Sequence, residues 1–142
     1  MSQETKIKFK STKTFVHSVG LSSCFRQWRA ESHCKYLHGY TFEIVLTFGC
    51  SELDYRNWVV DFGSLKSLKG WLEDTFDHKT VVAEDDPELE TFKELEKKGI
   101  IRLVTLPAVG CEKFAEAIYR FTECWLQYNG YAQDGRVWIE KV

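Results

Sequence analysis

The chain has 142 residues, of which 44% are hydrophobic and 28% charged, which suits one globular domain with one core. Its net charge of −2 argues against a nucleic-acid-binding protein, but not against a local pocket for a small anion. There is no apolar run of transmembrane length, no signal-peptide core and no CxxC pair among the five cysteines. We therefore expect a single cytoplasmic domain over residues 1–142 that binds neither nucleic acid nor membranes.

The first half of the chain shows the two-residue alternation of β-strands. Residues of one parity between Ile7 and Val19 are mostly apolar and predict a strand, with a break near Ser11 to Lys13. A cleaner alternation from Tyr40 to Phe48 predicts a strand with one buried side. His38 precedes that strand by two residues and would share the face of its first residue. A short strand from Asn57 to Phe62 is expected next.

The second half is mainly helical. We expect helices over 64–75 and 114–130, a minor helix within 83–98 with Pro87 at its first position, and strands over 100–106 and 136–142. The acidic run Glu84-Asp85-Asp86 is interpreted as a surface loop, and the lysines Lys6, Lys8, Lys10 and Lys13 as a solvated strand face. This order of elements predicts an α+β fold, with a small antiparallel sheet covered on one face by two main helices.

Residues with catalytic chemistry cluster around Cys34, which lies beside His33 and four residues before His38. A cysteine acts as a nucleophile or base only as the thiolate, which a nearby imidazole, cation or metal favours. Histidines are the usual neutral ligands of a catalytic zinc ion. From these residues alone, an incidental grouping in a loop remains the alternative.

Four further acidic or imidazole side chains are candidates. In the pair Asp77-His78, the carboxylate can orient the imidazole and favour its charged form. The simpler interpretation is that Asp77 caps a turn and His78 lies on a solvated loop. Glu140 shares the parity of Trp138 in the last strand, where a carboxylate either reaches the rim or receives hydrogen bonds from a ligand. Glu112 lies near the start of a predicted helix, where its negative charge can simply stabilise the positive end of the helix dipole.

Five short motifs, in the same order, resemble those of the 6-pyruvoyl-tetrahydropterin synthase and 6-carboxytetrahydropterin synthase family. They are Cys34–Gly39 (Cys-x-x-x-His-Gly), Val59–Lys66 (hydrophobic-Asp-Phe-x-x-Leu-Lys), Phe76–Lys79 (Leu-Asp-His), Cys111–Ala115 (Ser-Glu-Asn-x-Ala) and Val137–Glu140. The resemblance covers nearly the whole chain. It implies the tunnelling fold (T-fold), assembly into a barrel-shaped tetramer or hexamer, and active sites at subunit interfaces.

The resemblance also implies roles for individual residues. Cys34 would be the catalytic thiol, and Asp77 with His78 would complete its proton relay. Glu140 would hold the pterin ring of the substrate, and Glu112 would assist.

The metal site departs from the family pattern. The family binds zinc with one histidine on the first strand and two in His-Gly-His, whereas the last of these is Tyr40 here and the first-strand position falls on Val19. His17 shares the parity of Val19, so zinc is expected on His17, His38 and either His33 or Tyr40. A metal-free site is the competing interpretation.

The three-residue spacing between Cys34 and His38 is typical of the 6-carboxytetrahydropterin branch. The resemblance thus implies a lyase that converts 7,8-dihydroneopterin triphosphate on the route to queuosine precursors. The alternatives are a 6-pyruvoyl-tetrahydropterin synthase, a related enzyme with another substrate, and a non-catalytic pterin-binding protein.

Overall fold

The computed structural model describes residues 9–15, 20–132 and 135–142. The strands are β1 Phe9–Phe15, β2 Leu21–Phe25, β3 His38–Phe42, β4 Ile44–Cys50, β5 Lys79–Ala83, β6 Leu103–Leu106 and β7 Val137–Lys141. The helices are α1 Lys66–Phe76, α2 Leu89–Lys97 and α3 Cys111–Tyr128, with 3-10 helices at His33–Lys35 and Phe62–Leu65. The α+β class is confirmed. No helix among the described residues is both long and apolar enough to cross a membrane.

The chain divides into two compact units. The first contains the described residues of 1–15, 44–69 and 116–142, and the second those of 16–43 and 70–115. The expectation of one domain over residues 1–142 stays a prediction.

The first unit contains an antiparallel sheet in the order β1–β4–β7. Alternate residues of β4 are apolar, and Leu46, Phe48 and Cys50 are fully buried on the core face. On the opposite face Gly49 of β4 is paired with Lys10 on β1 and with Trp138 on β7. These three positions form a row across the sheet, outside the core.

The second unit contains a mixed sheet in the order β3–β2–β5–β6. β2 pairs antiparallel with β3, whereas the β2–β5 and β5–β6 pairs are parallel. Its core is aromatic: Phe114 packs against Phe25, Phe42 and Phe76 with ring centroids 5.1–5.6 Å apart. The parallel pairs are an addition to the small antiparallel sheet that we expected.

Several elements differ from the sequence predictions. The strand expected from Tyr40 to Phe48 is interrupted at Glu43, because β3 pairs with β2 whereas β4 pairs with β1. β1 runs unbroken through Ser11 to Lys13. The segment from Asn57 is a turn and loop rather than a strand, since the Asp54 carboxylate accepts hydrogen bonds from the N–H groups of residues 56 and 58.

The minor helix begins later than the sequence predicts. α2 begins at Leu89 with Glu88 as its N-cap, so Pro87 lies before the helix and not at its first position. The preceding acidic run was only partly a surface loop, since the side chain of Asp86 is 1% exposed and accepts hydrogen bonds from the Arg26 guanidinium. Burial alone would raise the pKa of Asp86, but the hydrogen bonds from Arg26 and from the Glu88 N–H lower it below its ordinary value.

Replacement of Arg26 by leucine is expected to destabilise the chain by about 3 kcal/mol, because it leaves the Asp86 carboxylate buried without its cation. Arg29→Leu is the matched control: its partner Asp85 is exposed, so the expected cost is below about 0.5 kcal/mol. Urea unfolding at neutral pH measures both. Because the pKa of Asp86 is lowered by folding, the stabilisation is present above pH ~4 and is lost as the pH falls through the lower folded-state pKa. Equal losses in the two variants at pH 7 would contradict the assignment.

Candidate functional site

Cys34 lies in a short 3-10 helix between β2 and β3. Ser32 caps this helix by accepting a hydrogen bond from the Cys34 N–H (3.3 Å), and the Cys34 carbonyl accepts one from the Gln27 N–H (2.9 Å). Cys34 is half-buried, whereas His33 beside it is exposed. The loop is therefore held through its backbone, and Cys34 is partly exposed.

Gln27 connects this loop to the start of α3. Its side-chain amide donates to the Val109 carbonyl (3.1 Å) and lies against Gly110, where a Cβ atom would overlap it. The same Cβ position lies 3.7 Å from a carboxylate oxygen of Glu112. Gln27 thus contacts the Cys34 loop through its backbone N–H and the segment before α3 through its side chain, and Glu112 lies on the same side of Gly110. Gln27 was not among the predicted residues, and only the glycine before the helix hints at its close approach.

Asp77 and His78 form the expected carboxylate–imidazole pair between α1 and β5. The Asp77 carboxylate lies 3.1 Å from His78 Nδ1 and accepts a hydrogen bond from the Ser22 N–H (3.0 Å). The His78 N–H donates to the Ser22 carbonyl, and its φ of 56° lies in the left-handed region. This backbone turns the residue outward, so that its side chain is 74% exposed.

His78 shares a cleft of about 580 Å³ with another cysteine, Cys24. Cys24 on β2 is paired with Thr80 on β5, and its Sγ lies 3.1 Å from the Thr80 hydroxyl. Arg102 also lines this cleft, whereas Cys34 is not among the described residues that line it. Within this unit the imidazole is therefore grouped with Cys24. Sequence spacing could not reveal this, because the grouping depends on parallel strand pairing.

The Glu140 carboxylate lies on the outer face of the first unit's sheet. Its Oε1 is 3.2 Å from Lys10 Nζ, while Oε2 is buried and has no hydrogen-bond partner among the described residues. Gly49 on the central strand allows this arrangement, because a Cβ there would lie 2.8 Å from Oε2 and 2.7 Å from the indole nitrogen of Trp138. Lys10 is exposed, as expected for a lysine on a solvated strand face, but it also pairs with Glu140. Lys6 and Lys8 lie outside the described residues.

An unpartnered buried carboxylate oxygen costs free energy, of the order of 1–3 kcal/mol, that a ligand with N–H donors would recover. The Glu140 carboxylate also interacts electrostatically with Tyr119. Burial raises the pKa of this tyrosine, and the nearby carboxylates of Glu123 and Glu140 raise it further. The surroundings of Glu140 are therefore rich in hydrogen-bond acceptors and suit a ligand that donates hydrogen bonds.

Residues 14–138 match the family model described as 6-pyruvoyl tetrahydropterin synthase. The chain belongs to this family. Among curated relatives, the 6-carboxy-5,6,7,8-tetrahydropterin synthase of Rickettsia bellii is 37% identical over 60 residues, which cover 42% of this chain and 44% of that protein. The corresponding protein of Aquifex aeolicus is 29% identical over 130 residues, covering 88% of this chain and 77% of its own length.

Among solved structures, an uncharacterized protein from Wolinella succinogenes matches 92% of this chain and 88% of its own, with a TM-score of 0.74 and 18% identity. This likeness concerns the fold alone. Together with the family match, it supports the T-fold expected from the sequence.

Two of the candidate zinc ligands lie on β3. His38 and Tyr40 lie side by side there, with ring centroids 5.1 Å apart, and His38 Nδ1 donates to the Tyr36 carbonyl (2.6 Å). This hydrogen bond leaves Nε2 as the ligating atom, the arrangement usual for a metal-bound histidine. No three His, Cys, Asp or Glu side chains among the described residues are grouped as metal ligands. His17 lies outside those residues, so a zinc site formed by His17, His38 and either His33 or Tyr40 stays a prediction.

Proposed function

We propose that this chain is an enzyme of the 6-carboxytetrahydropterin synthase type that acts on 7,8-dihydroneopterin triphosphate. With one water molecule, the reaction gives 6-carboxytetrahydropterin, acetaldehyde and triphosphate. The observation that carries the proposal is the buried Glu140 Oε2, which has no hydrogen-bond partner in the part of the chain that the structure describes. The amino group and ring N–H of a pterin are two parallel donors that fit a carboxylate. The names of the Rickettsia and Aquifex relatives support the same branch and hence a route to queuosine precursors.

In the proposed mechanism Glu140 binds the pterin ring and Glu112 assists. The Cys34 thiolate removes a proton from the substrate side chain, and His78, oriented by Asp77, returns one. A zinc ion held by His38, by His17 and by His33 or Tyr40 would polarise the side-chain oxygens of the substrate.

We further propose that the active enzyme is a homo-oligomer. Asp77 and His78 lie together with Cys24 within their unit, while Cys34 lies in the loop held by Gln27. A proton relay between Cys34 of one copy and His78 of another would explain why the family motifs contain both residues, although within one chain Cys34 is not among the described residues that line the His78 cleft.

The test is incubation with dihydroneopterin triphosphate, with and without added zinc, followed by identification of the products. Formation of 6-carboxytetrahydropterin and acetaldehyde is expected. Formation of 6-pyruvoyl-tetrahydropterin would move the chain to the other branch, and activity only on unphosphorylated dihydroneopterin would indicate a different substrate. Pterin binding without turnover would indicate a non-catalytic protein. Less than about a tenth of an equivalent of zinc after metal-supplemented expression would contradict the metal site.

A further inference from the structure

We propose that Lys10 is a specificity-determining residue that recognises the 4-oxo group of the pterin, so that the chain discriminates against 4-amino analogues. This inference rests on the proposed role of Glu140 in binding the ring. It adds a second recognition element, from the opposite edge strand of the sheet.

The geometry comes from the row formed by Lys10, Gly49 and Trp138. Edge strands on either side of a central strand are about 9.6 Å apart, so side chains from β1 and β7 meet only where the central residue is small. Gly49 supplies that gap, and Lys10 Nζ reaches Glu140 Oε1 at 3.2 Å across it. The cation and the carboxylate therefore form one polar pair over the backbone of β4.

Both groups of the pair keep hydrogen-bonding capacity for a ligand. An ammonium group has three donors, of which Glu140 takes one, and a carboxylate oxygen can accept more than one hydrogen bond. The Lys10 side chain is 55% exposed, so a ligand can reach it. The terminal torsion of a glutamate is soft, so a small rotation can offer both carboxylate oxygens to two parallel donors.

The chemistry of the pterin edge complements this pair. Its 2-amino group and N3–H donate to a carboxylate, and its C4 carbonyl, which adjoins N3, accepts from a cation beside that carboxylate. In 2,4-diaminopteridine an amino group replaces the carbonyl, N3 has no proton, and a donor faces the lysine donor. An ammonium group beside the carboxylate thus favours the 4-oxo ring and disfavours the 4-amino ring.

The experiment compares the affinities of pterin and 2,4-diaminopteridine by calorimetric titration, at a pH where both heterocycles are uncharged. The wild-type chain is expected to prefer pterin by at least about tenfold, as suits a hydrogen bond from a charged donor. In Lys10→Met this preference is expected to fall to about twofold or less, while Lys10→Arg retains most of it. Lys13→Met is the matched control, because Lys13 lies on the same strand over the ring of Phe62 and is expected to keep the wild-type preference.

The ratio of the two affinities separates recognition from a structural role. If Lys10 only orients Glu140, its loss weakens both ligands equally and leaves the ratio unchanged, which would overturn the inference. Equal binding of both ligands by the wild-type chain would also overturn it, but would leave the proposed function in place. If neither ligand binds, the proposed function and this inference both fail. Circular dichroism of each variant confirms that the fold is retained.

Discussion

Replacement of Cys34 by alanine is expected to lower turnover of dihydroneopterin triphosphate by about 10³-fold, the usual range for loss of a positioned proton-transfer group. Pterin affinity should stay within about twofold of wild type, because the loop is held through the backbone of residue 34 and Glu140 is unchanged. Product formation under saturating substrate and equilibrium pterin titration measure the two quantities. Cys124→Ala is the control, since this exposed cysteine lies on α3. Turnover near the wild-type rate in Cys34→Ala would refute the assigned role.

A mixture of variants tests whether the relay crosses between copies. Cys34→Ala and His78→Ala are each expected to be inactive, and co-expression of the two should restore a fraction of the activity in assemblies that combine one intact Cys34 with one intact His78. Restoration requires a homo-oligomer with shared sites. Its absence, despite mixed assemblies demonstrated by mass spectrometry, would place the relay within a single chain.

Glu140→Gln is expected to weaken pterin binding by about 100-fold, the second large effect. An amide offers one acceptor and two donors, so one parallel N–H of the ligand would face a donor, and the charge that strengthens both hydrogen bonds is lost. Glu43→Gln provides the comparison, because Glu43 is exposed and lies between β3 and β4. Calorimetric titration with pterin measures both variants. Unchanged pterin binding by Glu140→Gln would contradict the role of Glu140 in pterin recognition, on which the proposed function depends.

Local patterns in the sequence predicted much of the fold and less of the site. The alternation in β4 and the helical spacing in α1 and α3 are properties of neighbouring residues, and these elements form as expected. The break at Glu43 has no such signal, because it arises when the two halves of one alternating run pair with different strands. β2 and β5 were missed for a related reason. Both are five-residue strands, and parallel pairing leaves no simple alternation in β5, where four of the five residues are buried.

The candidate site shows the same limit. The Asp77–His78 contact involves adjacent residues and could be predicted. The Lys10–Glu140 pair joins residues far apart in the chain, and Asp86 is buried by Arg26 from a different segment. An isolated lysine or an acidic run gives no indication of such partners. Family motifs predicted a role for Glu140, but only the structure shows that one of its oxygens lacks a hydrogen bond to any described residue.

The left-handed backbone of His78 has a consequence for the evolution of this chain. At a φ of 56° glycine carries no steric penalty, whereas a residue with a Cβ atom adopts this conformation at a cost of about 1 kcal/mol. Selection for stability alone would favour glycine at this position, and a single replacement would remove the imidazole while relaxing the turn. On the role proposed for His78, replacement by glycine would relax the turn and remove the proposed proton donor in one step. The residue at this position would then distinguish catalytic from non-catalytic relatives.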